Sequence, residues 1–277
     1  LYIPAETLTY ALYAVGLVII GLVFLFIIKN SNRLAEEVKQ NRASFRMQTG
    51  DSSSVQGVIM ESAGNVSNVI KHGNKIYTNA ITGLATQDLK LLKKNKKQIE
   101  KLSDEIDGLR EHIYAYMQNI QEPSVFANSF YINILEYLKD ISKSLEYTSR
   151  VSHKHIKNKH KKLKFNQIKE LKEVEELVTH IMEDTQKAFK TYSFESMGNI
   201  LKDKDYALDF VTQKIHEQIE RTHSDESSPK NATLYFGLLL ETKDLLTTTM
   251  QLLEAYHTSH DKSVAPATMV QPVEVVD

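Results

Sequence analysis

Beyond position 50 apolar residues recur at three- and four-residue intervals almost without interruption, the period of amphipathic helices. The first run carries Val55, Val58, Ile59, Ala63, Val66, Val69, Ile70, Ile76, Tyr77, Ala80, Ile81 and Leu84. Thr86-Gln87-Asp88 reads as a stop followed by a cap for the next helix, whose apolar stripe runs from Leu89 and Leu92 to Ile113, Tyr116 and Ile120. Pro123 ends that run, because the residue before a proline disfavours helical geometry. A third stripe runs from Phe130 through Ile134, Leu138, Ile141 and Leu145 to Val151, and a fourth from Ile168 through Leu171, Val174, Val178 and Ile181 to Phe189. A fifth spans Met197 to Ile219, and a sixth opens at Ser228-Pro229 (an N-cap and a first-turn proline) and reaches Tyr256. No stretch of useful length alternates with period two, so the pattern predicts an all-α protein of six helices and no sheet.

The six divide into three and three. A shift of 104 positions aligns Tyr131 with Tyr235, Leu135 with Leu239, Lys139 with Lys243 and Asp140 with Asp244, while Ile134 meets Leu238 and Ile141 meets Leu245. With Pro123 and Pro229 punctuating equivalent places, this predicts a duplicated three-helix unit.

The start of the chain departs from this pattern. Residues 10–28 contain no charge, and 19 helical residues rise roughly 28 Å, about the thickness of a bilayer's hydrocarbon core. Lys29, Arg33, Lys39, Arg42 and Arg46 follow the run and no Lys or Arg precedes it, so the positive-inside tendency predicts a cytoplasmic location for residues 29–277. A secretory signal peptide would carry its basic residues before a shorter apolar core. The expected organisation is a terminal transmembrane helix over 1–30, a juxtamembrane linker over 31–52, three-helix bundles over 53–157 and 158–258, and a disordered tail over 259–277 containing Pro266 and Pro272. The leader reads as the last span of a longer polytopic protein.

Composition narrows the chemistry. With no Cys in 277 residues, thiolate catalysis, disulfide staples and Cys-ligated metals are excluded. A net charge of −1 argues against a nucleic-acid partner held by bulk basicity. That near-zero balance conceals a segregation: residues 29–164 hold 23 Lys+Arg against 14 Asp+Glu, and residues 165–277 hold 11 against 20. Neither a phosphate-binding Walker loop, nor a dinucleotide fingerprint, nor a hydrolase elbow, nor a zinc-protease motif occurs, so no enzyme is expected here.

Three candidate sites remain. Glu136-x-x-x-Asp140 stacks two carboxylates on one helix face, where they could ligate a hard divalent cation or Fe/Mn. Asp244 stands at the repeat-equivalent position, and Asp205-x-x-x-Asp209 shows the same spacing; solvated helix faces commonly carry such pairs. His153, His155 and His160 sit among lysines that would repel a cation, and His153 and His155 point about 200° apart on a helix, which disfavours zinc. Lys154, Lys157, Lys161 and Lys162 in that stretch are candidates for contact with anionic lipid or an anionic ligand, and a second lysine cluster over 90–101 opens the second helix. Gly57, Gly64, Gly73 and Gly83 along the first helix imply either close helix approach or a soft helix.

The segments ILEYLKDISKSLEYTSRVSHKHIKNKHKKL (134–163), FNQIKELKEVEELV (165–178) and SPKNATLYFGLLLETKDLLTTTMQLLEAY (228–256) resemble the C-terminal cytoplasmic extension of bacterial inorganic phosphate transporters, the PiT type of Bacteroidetes first and the sodium–phosphate cotransporters with PhoU-like tails next. The resemblance implies a PhoU-like pair of three-helix bundles in the inner membrane's cytoplasmic vicinity, regulating phosphate uptake through contact with the permease portion of the same protein or with phosphate-signalling proteins. It implies a metal motif matched by Glu136 and Asp140, with only Asp244 in register in the second repeat. The competing expectation is a membrane-anchored helical scaffold or signalling stalk, built as one long antiparallel coiled coil without duplication.

Overall fold

The computed structural model describes residues 55–119, 125–223 and 228–259. Among them are six helices and no strand: α1 (Val55–Thr86), α2 (Leu89–Asn119), α3 (Val125–Lys157), α4 (Phe165–Thr191), α5 (Met197–His223) and α6 (Pro229–Ser259). The expected membrane span over residues 10–28, the linker over 31–52, Pro123 and the tail from 260 lie outside the described residues. No described helix is long and apolar enough to cross a membrane.

Local chemistry accounts for the breaks. Gln87 adopts a left-handed φ of 59°, and the Asp88 N–H returns to the Gly83 carbonyl at 2.9 Å, closing α1. The Asp88 carboxylate then accepts the Leu91 N–H at 2.9 Å and starts α2. The same device recurs twice. Lys159 (φ 52°) with His160 N–H to His155 C=O at 3.2 Å ends α3, and Tyr192 (φ 49°) with Ser193 N–H to Ala188 C=O at 3.1 Å ends α4. Ser228 Oγ accepts the Asn231 N–H at 3.3 Å, capping α6 over Pro229 as the sequence suggests.

Helices α1, α2 and α3 pack mutually, and α4, α5 and α6 do likewise. The two triplets join through α1 against α4 and α3 against α6. Both cross-pairs run antiparallel: Ser67 bonds the Gln186 carbonyl and Lys172 bonds Thr82, while the Phe130 and Tyr256 rings meet at 5.1 Å and Gly237 lies beneath Tyr147. Equivalent helices thus meet equivalent helices, the arrangement a duplicated unit produces when its copies close on one another. Of the aligned positions, Tyr131 and Tyr235, Ile134 and Leu238, and Ile141 and Leu245 are buried, and Asp140 and Asp244 exposed, whereas Leu135 is only half-buried against a buried Leu239. The described residues all fall in one compact unit, so the triplets share a single core.

Much of that seam is polar and satisfied. Tyr77, fully buried, donates to Thr242 Oγ1 at 2.7 Å, and Thr242 passes its own proton to the Leu238 carbonyl. Ser62 and Tyr256 hydroxyls meet at 2.8 Å. Asn95 donates from α2 to the Ile76 carbonyl at 2.9 Å and to Ser149 at 3.3 Å, holding the first triplet together. A Cβ at Gly83 would stand 2.7 Å from Leu92, and one at Gly73 3.1 Å from Leu145. These two glycines mark close approach, whereas Gly64 has nothing within 4 Å.

Candidate functional site

Glu136 and Asp140 share an exposed face of α3, and Asp140 is paired with Lys143 at 2.7 Å. Asp244 is exposed on α6, where its charge adds to burial in raising the pKa of Glu241, against Arg150. The three carboxylates do not form a group of ligand atoms within 4.8 Å of one another. Glu136 and Asp140 alone would supply two carboxylates to a hard cation, with water or other oxygens completing its shell. Asp205 and Asp209 are likewise exposed, with Asp205 at 2.8 Å from Lys204.

Among the described residues the group that does converge is His180, Asp184 and Asp203, joining α4 to α5, with His180 Nε2 3.8 Å from Asp184 and 3.6 Å from Asp203. All three are substantially exposed. The His180-x-x-x-Asp184 spacing is legible in the sequence; Asp203 joins it only through the packing of α5 on α4.

The lysine-rich segment is built differently from a solvated linker. Antiparallel packing brings the α1–α2 turn, the α3–α4 loop and the start of α6 to one end of the molecule. His155, buried, donates from Nε2 to the Lys161 carbonyl at 3.0 Å, and Asn231 of α6 donates to the Lys162 carbonyl at 2.8 Å. Leu163 tucks into the core. With the loop's backbone pinned inward, Lys157, Lys159, Lys161, Lys162 and Lys164 project into solvent, and none has an ion-pair partner among the described residues. His153 has its Nε2 buried without a hydrogen bond. Burial first, then the charges of Lys157, Lys96 and Lys93, push its pKa down, so its imidazole is neutral at pH 7. His155 therefore serves the loop's structure and the lysines its surface.

Next to this end lies a buried ionic cluster that the helical periodicity does not reveal. Arg221 of α5 donates from both terminal nitrogens to Glu170 of α4, at 2.7 and 2.9 Å, and Tyr235 of α6 donates to the same carboxylate. Burial alone would raise the Glu170 pKa; the Arg221 and Tyr235 hydrogen bonds outweigh it and hold the carboxyl below its usual range. Gln167 extends the cluster, donating to Gln218 at 2.9 Å. The residue types were visible, but the sequence carries no spacing signal for a contact between positions 51 and 65 residues apart.

No family model matches the sequence, and no curated protein matches it. Among solved structures the chain is similar to PhoU from Pseudomonas aeruginosa, with a TM-score of 0.58 and 11% identity over 72% of this chain and 95% of that one. At that identity the likeness speaks for the fold: the described residues form a PhoU-like all-α domain.

Proposed function

We propose that this chain is the C-terminal part of an inorganic phosphate membrane transporter, supplying its last span over residues 10–28 and a PhoU-like domain that regulates phosphate uptake from the cytoplasmic side of the inner membrane. The observation that carries the reading is the six-helix fold, whose solved neighbour is a PhoU over nearly its full length. The apolar leader followed by basic residues supports membrane attachment, and the transporter-like segments at 134–163 and 228–256 support the phosphate context. The domain would act by contact with the permease portion of the same protein or with phosphate-signalling partners; Glu136 and Asp140, with Asp244 in repeat register, are its candidate metal ligands, and no catalytic step is assigned to it.

The scaffold alternative predicts one long antiparallel coiled coil, and two closed triplets do not favour it. Phosphate uptake and its response to phosphate supply, measured in cells lacking residues 50–277, test the proposal. Deregulated or impaired uptake is expected. Unchanged transport with unchanged phosphate response removes the regulatory role.

A further inference from the structure

We infer that the lysine-rich end of the bundle is a docking face for an anionic bilayer surface, with Phe165 as its apolar anchor. The inference rests on the membrane placement proposed above and goes beyond it by assigning a face of the domain to lipid.

Three observations converge. First, Phe165 opens α4 with 84% of its surface exposed, and Leu89 opens α2 with 38% exposed. Single exposed apolar residues are ordinary. These two, however, begin helices at the same end of the molecule, and each is set among lysines: Lys162 and Lys164 precede Phe165, and Lys90, Lys93 and Lys94 follow Leu89. An exposed aromatic residue flanked in sequence by lysines is the composition of a membrane-interfacial contact, the ring entering the headgroup boundary and the ammonium groups pairing with phosphates.

Second, the cations oppose the helix fields. Lysines at the C-terminus of α3 complement its dipole and need no further reason. Lys90 instead sits in the first turn of α2, whose N-terminus Asp88 caps, and Lys164 sits at the N-terminus of α4, which has no acidic residue in its first turn. Such a placement is unfavourable in an isolated domain, and an external anion reverses its sign.

Third, the loop is fixed. The bonds from His155 and Asn231 to the Lys161 and Lys162 carbonyls, with Leu163 buried, hold the ammonium groups outward before any partner arrives. A preorganised cationic face forfeits little entropy on meeting a charged plane. Phosphatidylglycerol-type headgroups satisfy both halves of the arrangement, whereas a free anion satisfies the lysines and leaves Phe165 in water.

The protein has no Trp, so Phe165→Trp places a unique reporter at the anchor. The full chain carrying this substitution is reconstituted into vesicles of phosphatidylcholine alone or with about 30% phosphatidylglycerol, the share that gives an appreciable surface potential, with brominated acyl chains as quenchers. Blue-shifted, quenched emission is expected in the anionic vesicles, reversed by high salt, and absent in zwitterionic ones. Lys161→Glu/Lys162→Glu/Lys164→Glu in the same background is expected to abolish quenching with helicity unchanged. Tyr206→Trp, 62% exposed in the half of α5 remote from this end, is expected to stay unquenched. Water-like emission of the Phe165→Trp chain in anionic vesicles overturns the inference, as does quenching indifferent to lipid charge and to the triple reversal. So does an emission shift produced by inorganic phosphate or polyphosphate without lipid, which assigns the face to a soluble anion. Resistance of the chain to carbonate extraction is scored separately, so loss of membrane attachment is distinguished from loss of docking.

Discussion

Glu170 is the residue on which the second triplet turns. It is buried, it binds Arg221 through two hydrogen bonds and it receives the Tyr235 hydroxyl, so one carboxylate joins α4, α5 and α6. Removing one partner of a buried pair leaves the other charge unmatched, which costs far more than the intact pair is worth over an apolar substitute. Arg221→Met is therefore expected to lower unfolding free energy by about 3 kcal/mol at pH 7, read by urea denaturation. The pH dependence has a definite sign. A carboxyl whose folded pKa lies below its unfolded one contributes stability above the unfolded value of about 4.3, and that contribution is lost as pH falls through the folded value. The gap between wild type and Arg221→Met should accordingly narrow as pH falls from the Glu170 pKa of the variant, where Arg221 no longer offsets burial, to the lower one of the wild type. A gap that stays constant down to about pH 3, well below the unfolded value, would show that Glu170 is not the group responsible. Burial, with Glu170 beside it, also raises the Tyr235 hydroxyl above its ordinary range, so this tyrosine is a donor at pH 7.

At the scale of elements, the six helices were legible because their apolar stripes are long and their stops are chemically marked. Asp88, Ser228 and Pro229 act as their residue types suggest. The glycines of α1 were legible only as a choice between close approach and softness, and packing divides them. At Gly64 an added methyl meets open space, so Gly64→Ala is expected to raise stability by about 1 kcal/mol through helix propensity alone. At Gly83 the same methyl stands 2.7 Å from Leu92, and overpacking by about 1–3 kcal/mol is expected to exceed the propensity gain and destabilise the fold. Thermal or urea melts of the two variants should move in opposite directions; a common direction would refute the assignment of Gly83 to close approach. The helix stops add a feature that residue type conceals. Gln87 and Lys159 occupy left-handed positions that cost a side-chain-bearing residue roughly 1–2 kcal/mol. Gln87→Gly relieves that strain while adding unfolded-state entropy, for an expected net gain of about 0.5 kcal/mol by the same melts. Nothing in the periodicity distinguishes these stops from glycine-capped ones, because the capping bonds are made by backbone.

For the whole molecule, the sequence offers a faint register between α3 and α6, but not how the two triplets meet. Helix periodicity identifies which face is buried, not against what. The triplets close through α1 on α4 and α3 on α6, so the apolar faces of each are completed by the other. Carboxylate spacing suffers the same limit: Glu136 and Asp140 were found by their spacing within one helix, while His180, Asp184 and Asp203 meet through packing between helices. A shared core has a consequence for folding. Residues 158–259 taken alone would expose the faces of α4 and α6 that α1 and α3 cover, together with Thr242 deprived of Tyr77 and Tyr256 deprived of Ser62. A domain of this size depends on burying most of its apolar surface, and marginal stability of 5–15 kcal/mol leaves no reserve for an uncovered face of two helices. That fragment is expected to retain helical circular dichroism but to bind hydrophobic dyes and unfold without a cooperative transition, while residues 49–277 melt in a single step. A sharp transition and dispersed amide resonances from the fragment would show instead that each triplet folds by itself, and that the seam built on Tyr77 and Thr242 is a docking interface between two independent bodies.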